Sequence, residues 1–314
     1  MKKLKKVLIV FLCVLMVVPM TGCSLFGKGD TDKFVLDRTF DAPGQNDDFM
    51  YNVYGNYIGI SKYIGQNTDV VIPATIRVPV TDKEYPVLVI EKEAFKEVDY
   101  GSEVNNVNIT SVTLPDGLLE IESNAFANCK SLATINIPMS VTAMGSSIFS
   151  GCASLISINV PPMLNSVPQG YCKGCTNLLT IVFDEGTELY PLSSKRVIES
   201  YAFSGCSSLR VVNIPDEFVT INSMAFYNCR SLTGVTVLNT VKTIGRDAFG
   251  NASDSLTIRG YRKSAIAKYC SKNFIKFALI DESEGLDTSN INATNEQENT
   301  SKNSSTVSTG DKGE

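Results

Sequence analysis

Histidine and tryptophan are absent from the 314 residues. Without histidine there is no imidazole to serve as a general base near neutral pH, no histidine-containing triad and no histidine-ligated metal. Glycine loops that cradle phosphate and nucleophile elbows are missing as well. Positive charge is scarce. The formal net charge is −5, and four of the lysines (Lys2, Lys3, Lys5 and Lys6) lie in the first 22 residues, without which it is −9. Such a balance argues against nucleic acid or an anionic membrane surface as partner. Two acidic pairs, Asp47-Asp48 and Asp184-Glu185, lack the alternating oxygen ligands of a calcium loop. The expectation is therefore a protein with no catalytic residues, no metal and no cofactor.

Long hydrophobic runs are also rare. The most extended, "VLIVFLCVLMVVP", follows the cationic start "MKKLKK" and ends at "MTGC". A spanning helix needs ~20 apolar residues, so this run has the size of a secretory leader instead. Small Thr21 and Gly22 stand directly before Cys23, which resembles the lipobox of bacterial lipoproteins, with Met20 where leucine is usual. The resemblance implies cleavage before Cys23, a diacylglyceryl thioether on its sulfur, and an exported protein held at the bacterial cell surface by its acyl chains. Plain secretion is the alternative. The predicted organisation is a signal peptide over 1–22, a lipidated tether over 23–33, an N-terminal β cap over 34–89, repeats over 90–259, a C-terminal cap over 260–281 and a disordered tail over 282–314. The tail is rich in Ser, Thr, Asn and Glu and has almost nothing to bury.

What fills the centre is one phrase repeated. Phenylalanines stand at 95, 126, 149, 203, 226 and 249, cysteines at 129, 152, 175, 206 and 229, and a lead apolar residue at 121, 144, 167, 198, 221 and 244. The three columns share a step of 23 residues, lengthened twice to 31 by an insertion of eight. Phe126, Cys129 and Leu132 are three apart, the spacing at which side chains eclipse on a 3₁₀ turn. Ser123, Ser200 and Ser223 sit where a hydroxyl could cap the turn's amides. "TINI" alternates and is β-branched, predicting a short strand, which Pro138, Pro161 and Pro215 end in their respective copies. One unit cannot bury its own apolar row, whereas stacked units share a continuous core.

The pattern "AFxxCxSLxxIxIP" resembles the BspA-like class of bacterial leucine-rich repeats, over about Asp48 to Asp281. "YIGISKYIGQNTDVVIPATI" is similar to that family's opening segment and "LTIRGYRKSAIAKYCSKNFIKF" to its closing one. The resemblance implies a right-handed repeat solenoid of about 23-residue units, each a short parallel strand plus a 3₁₀ or helical turn, capped at both ends. It implies surface or secreted proteins, some linked to adhesion, and supplies no catalytic residue. The residues agree on the caps. Phe49, Tyr51 and Val53 alternate toward a Gly55-Asn56 hairpin turn, and Ser264 to Lys272 suits a short helix ahead of a last strand.

Function has fewer markers. "CKGC", Cys172 to Cys175, could suggest a redox pair, but Cys175 falls in the cysteine column and Cys172 in the phenylalanine column, so both should be buried free thiols. Tyr171 precedes Cys172 where Ala-Phe is usual, and its ring should fill the space of the missing Phe. The outward strand positions, among them Asn136, Asn159, Asn213 and Thr236, form a candidate exposed face, poor in the aromatic and arginine side chains that dominate binding sites. Insertions in repeat proteins map to loops, often on the binding face. One lies within "KEVDYGSEVNNVNIT". The other, Asp184 to Val197, offers Glu185, Glu188, Tyr190, Lys195 and Arg196 as candidate contacts. The expected role is non-catalytic recognition or adhesion toward an extracellular protein or glycan. The alternative is a structural envelope component without an external ligand.

Overall fold

A side chain that recurs every 23 residues can be buried along a whole molecule only if successive coils stack in register. The computed structural model describes residues 40–96 and 108–280. Cys23, the tether, the tail and the first insertion lie outside them. The chain opens with β1 (Phe40–Gln45), β2 (Phe49–Tyr54) and β3 (Tyr57–Tyr63), then β4 (Asp69–Val71), β5 (Thr75–Val78) and β6 (Lys83–Ile90). Strands β2 and β3 form an antiparallel hairpin across Gly55-Asn56, where Gly55 has a φ of 52°. A left-handed residue at that position is what a tight hairpin turn asks for, and glycine adopts it without strain.

From Ser111 onward each coil carries two strands. The first row is β7 (Ser111–Thr113), β9 (Thr134–Asn136), β11 (Ser157–Val160), β13 (Thr180–Phe183), β15 (Val211–Ile214), β17 (Gly234–Val237) and β19 (Thr257–Gly260). The second is β8 (Glu120–Ile121), β10 (Ala143–Met144), β12 (Ser166–Val167), β14 (Arg196–Ile198), β16 (Phe218–Ile221) and β18 (Thr243–Ile244). Partners within a row are parallel and one repeat apart, as in Val235 beside Val212 and Ile258. The lead apolar column (Ile121, Ile198, Ile221) is thus itself a strand. A helix, α1 (Ala265–Asn273), and β20 (Lys276–Leu279) close the far end. Ser264 caps α1 by accepting from the Ala267 amide, as its position predicts.

Between the rows the chain makes a train of single 3₁₀-type turns. Cys129 N donates to Phe126 O and Leu132 N to Cys129 O, while the amides of Asn124, Phe126 and Asn128 donate to carbonyls of the next coil. Alternate N–H groups thus serve the turn and the stack, so every coil binds its neighbour along this segment too. The hydroxyl of Ser123 accepts from the Ser146 amide one coil away, not from its own turn.

The core is a set of columns. Rings stack from Tyr63 onto Phe95, Phe126 and Phe149, and again through Phe203, Phe226 and Phe249, with centroids 4.8–5.6 Å apart and planes within 20°. Near-parallel rings at such distances are offset, an arrangement favoured over the direct sandwich. Tyr171 bridges the two stacks edge-on, 5.5 Å from Phe149 and 6.2 Å from Phe203. It fills the place of the missing Phe, and its hydroxyl donates to the Asn159 carbonyl at 2.9 Å.

The cysteines form a second column, and they do more than fill space. Thiols of Cys129, Cys152, Cys175 and Cys229 donate to the carbonyls of Phe95, Phe126, Phe149 and Phe203 at 3.0–3.2 Å. Each satisfies a main-chain oxygen of the coil before. All seven cysteines among the described residues are free and buried. Burial, then the neighbouring Cys175, holds the Cys172 thiol well above its ordinary range, the reverse of what a reactive pair needs.

Candidate functional site

The first row of strands breaks between β9 and β11 and again between β13 and β15, and the second between β10 and β12; the described insertion follows β13. Strands β9 and β11 belong to separate sheets. There the side chain of Asn159 takes over pairing: its Oδ1 accepts from Ile137 N and its Nδ2 donates to Ile137 O, both at 2.8 Å. The same Nδ2 donates to Asp184 Oδ2 at 2.6 Å. Asp184 is the first residue beyond β13, and its own amide reaches Val160 O. Burial raises its carboxyl above the usual range, and the Asn159 hydrogen bond and the charge of Arg196 pull it back.

Arg196 closes the loop from the other side. The expectation of a solvent-facing contact is corrected here, for this side chain is fully buried. Nε donates to Leu164 O at 3.0 Å, Nη2 to Pro161 O at 2.8 Å, and Nη1 pairs with Glu217 Oε1 at 3.2 Å. Its guanidinium lies 4.8 Å from the centroid of the Phe218 ring. Burial lowers its pKa while Glu217 and Asp184 hold the charge. A planar fork can satisfy three partners at once, and the insertion leaves the Leu164 and Pro161 carbonyls to be satisfied in this way. A basic residue beside a loop is read as exposed because charges rarely go inside unpaired, and here the pairing was not visible from spacing.

Between these two anchors the loop bonds to itself and to the coil before it. Thr187 N donates to Tyr190 O, and Tyr190 N to Thr187 Oγ1. Ser193 N donates to Pro162 O, and the Ser193 hydroxyl to Asn165 Oδ1. Gly186 lies so close to Leu192 that a Cβ would sit 2.6 Å from its amide nitrogen. Glu185, Glu188 and Lys195 are exposed and Tyr190 is half-buried. Leu189 and Leu192 are 45% and 44% exposed, two apolar side chains held outward that charge-based reading passed over.

The candidate strand face needs correction at two positions. Asn136 is exposed and Asn213 half-buried, but Asn159 is buried by the pairing just described. Thr236 is buried too, in register between Asn213 and Arg259, whose longer side chains flank it. Among the described residues, no helix is long and apolar enough to cross a membrane.

The model of the BspA type leucine-rich repeat region matches residues 90–193 and 187–288, in six copies. The chain belongs to the BspA-type leucine-rich-repeat family. No curated protein matches it. Among solved structures, this BspA-type chain is similar to a leucine-rich repeat protein from Eubacterium ventriosum, at 25% identity and a TM-score of 0.53, with 69% of this chain and 50% of that one covered. It therefore spans about half the length of that protein. A leucine-rich cell surface protein from Faecalibacterium prausnitzii matches at 22% identity, over 70% of this chain and 76% of its own, with a TM-score of 0.39. The pneumococcal vaccine antigen PcpA matches at 17% identity, over 70% and 66%, with a TM-score of 0.45.

Proposed function

We propose that this BspA-type protein is a cell-surface recognition module, tethered through a lipidated Cys23, that binds an extracellular protein or glycan without chemistry. One observation carries the reading. The loop from Asp184 to Arg196 is anchored at both ends by buried polar groups and closed internally, yet holds Leu189, Leu192, Glu185 and Glu188 outward. A loop held in place loses little freedom on binding, so more of its contact energy is realised as affinity. A tolerated insertion would need no buried arginine at its base.

The test is a capture experiment with residues 24–314 as bait and, beside it, a variant lacking Glu185–Leu192, which returns the coil to the 23-residue step and keeps both anchors. Host matrix and serum proteins, a glycan array and envelope extracts are offered to each. A ligand held by the parent and lost from the variant is the expected result. Capture of envelope components alone, indifferent to the loop, would instead support a structural envelope role. For the anchor, palmitate incorporation in the producing cell should disappear in Cys23→Ala, and labelling that persists would rule out lipidation at this cysteine.

A further inference from the structure

The C-terminal end of the solenoid reverses the charge of the rest. Residues 255–280 contain six Arg and Lys and no Asp or Glu, in a chain whose formal net charge is −5. The fold gathers part of this charge around one cleft. Among the described residues strand β18 ends the second row with no strand beyond it, and α1 leaves a groove of about 880 Å³ beside it. Lys242 and Arg246 line it from the coil, and Lys263, Lys268 and Lys272 from the cap, against a single carboxylate, Asp247, which pairs with Arg246. Lys268 and Lys272 are one helical turn apart and both exposed, a like-charge pair that costs the helix stability until an anion lies between them. A low-dielectric wall with one sign of charge concentrates the opposite sign.

We propose that this groove binds a linear polyanion with a hydroxylated, sugar-like backbone. Five cationic side chains line the one cleft, which suits a ligand with repeated anionic groups. Asn239, Thr243 and Asn273 also line it, and amides and hydroxyls of this kind can exchange hydrogen bonds with sugar hydroxyls. The cleft presents no exposed aromatic side chain: its one ring, Tyr269, is half-buried and stacked edge-on beneath Phe249. Nucleic acid single strands rely on aromatic platforms, and protein partners on buried aromatic anchors, so neither is the favoured occupant. The groove is separate from the 184–196 loop, and the proposal stands or falls without it.

The test is binding of the full chain, in detergent, to oligogalacturonate and to poly(glycerol phosphate), which separate carboxylate from phosphate as the anionic source. Polyglutamate, oligothymidylate and neutral dextran are measured alongside. One or both hydroxylated polyanions should bind at least ~10-fold more tightly than the other three. Affinity should fall with salt by roughly one logarithmic unit of slope per cation engaged. Lys268→Gln with Lys272→Gln should weaken binding at least ~10-fold and flatten the salt slope by about 2, with an unchanged circular dichroism spectrum. Lys83→Gln, exposed on the opening sheet, and the loop deletion should change nothing. Equal affinity for polyglutamate or oligothymidylate, no binding at all, or equal loss in the Lys83 variant would overturn the proposal. So would binding that appears only when residues 282–314 are removed, which would assign the groove to the chain's own acidic end.

Discussion

Arg196 shows how much one side chain can organise. It enters the core with its charge because two carbonyls, a carboxylate and an aromatic face await it. Removing it leaves Glu217 without its ion pair and two buried oxygens without donors, and breaking a buried pair in this way is strongly destabilising. Arg196→Ala should therefore lower unfolding stability by ~3–5 kcal/mol in a denaturant titration. Lys at the same position should recover little, since one ammonium cannot reproduce the fork. A loss under ~1 kcal/mol would show that the arginine behaves as a surface ion pair. Asn159 was equally hard to foresee. It reads as one member of an outward row, and only the break between β9 and β11 reveals that its amide does the work of a strand.

At the scale of the coil, the columns were legible because identical side chains recur at one step, and only stacking buries them all. The aromatic, cysteine and strand columns followed from spacing alone. The second row did not, for strands of two residues such as β8 and β10 are too short to show alternation. The turn was legible as well, since a spacing of three fits three-residue turn bonds such as Cys129 N to Phe126 O; that the alternate amides donate to the next coil was not. Because a ring in mid-column packs on both sides, Phe226→Ala should cost ~3–5 kcal/mol. Phe226 sits 5.3 Å from Phe203 and 5.4 Å from Phe249. A change below ~1 kcal/mol, the size of a minor trimming of the core, would mean that the neighbouring rings close the gap unaided. The loop was legible as an insertion and as a charged one, but its base and its two outward leucines were not.

For the molecule as a whole, the thiol column sets a limit on alkali. Burial pushes Cys229 up to about 12 and Cys270 up to about 11, whereas an unfolded thiol titrates near ~8.5. The folded form therefore keeps its protons while the unfolded form loses them. The stability this supplies is full below ~8.5 and is progressively lost as pH rises toward the folded values. Denaturant midpoints should fall between pH 8 and 11, and iodoacetamide at pH 8 should leave the repeat cysteines unmodified until the chain is unfolded. Rapid labelling of the native protein would contradict a closed core. A different consequence follows from the interruption between β9 and β11. From Ile221 to Ile244, beyond the Glu217 and Phe218 that serve Arg196, one unit can stand in for the next, so a copying slip of 23 residues leaves every ring and thiol with a neighbour. Across Asn159, Asp184 and Arg196 the same slip would duplicate a carboxylate or a guanidinium without its mate. Related chains should thus differ in length on the C-terminal side of the loop and keep their coil number across it, so that the part of the molecule free to grow is the part that carries no exception.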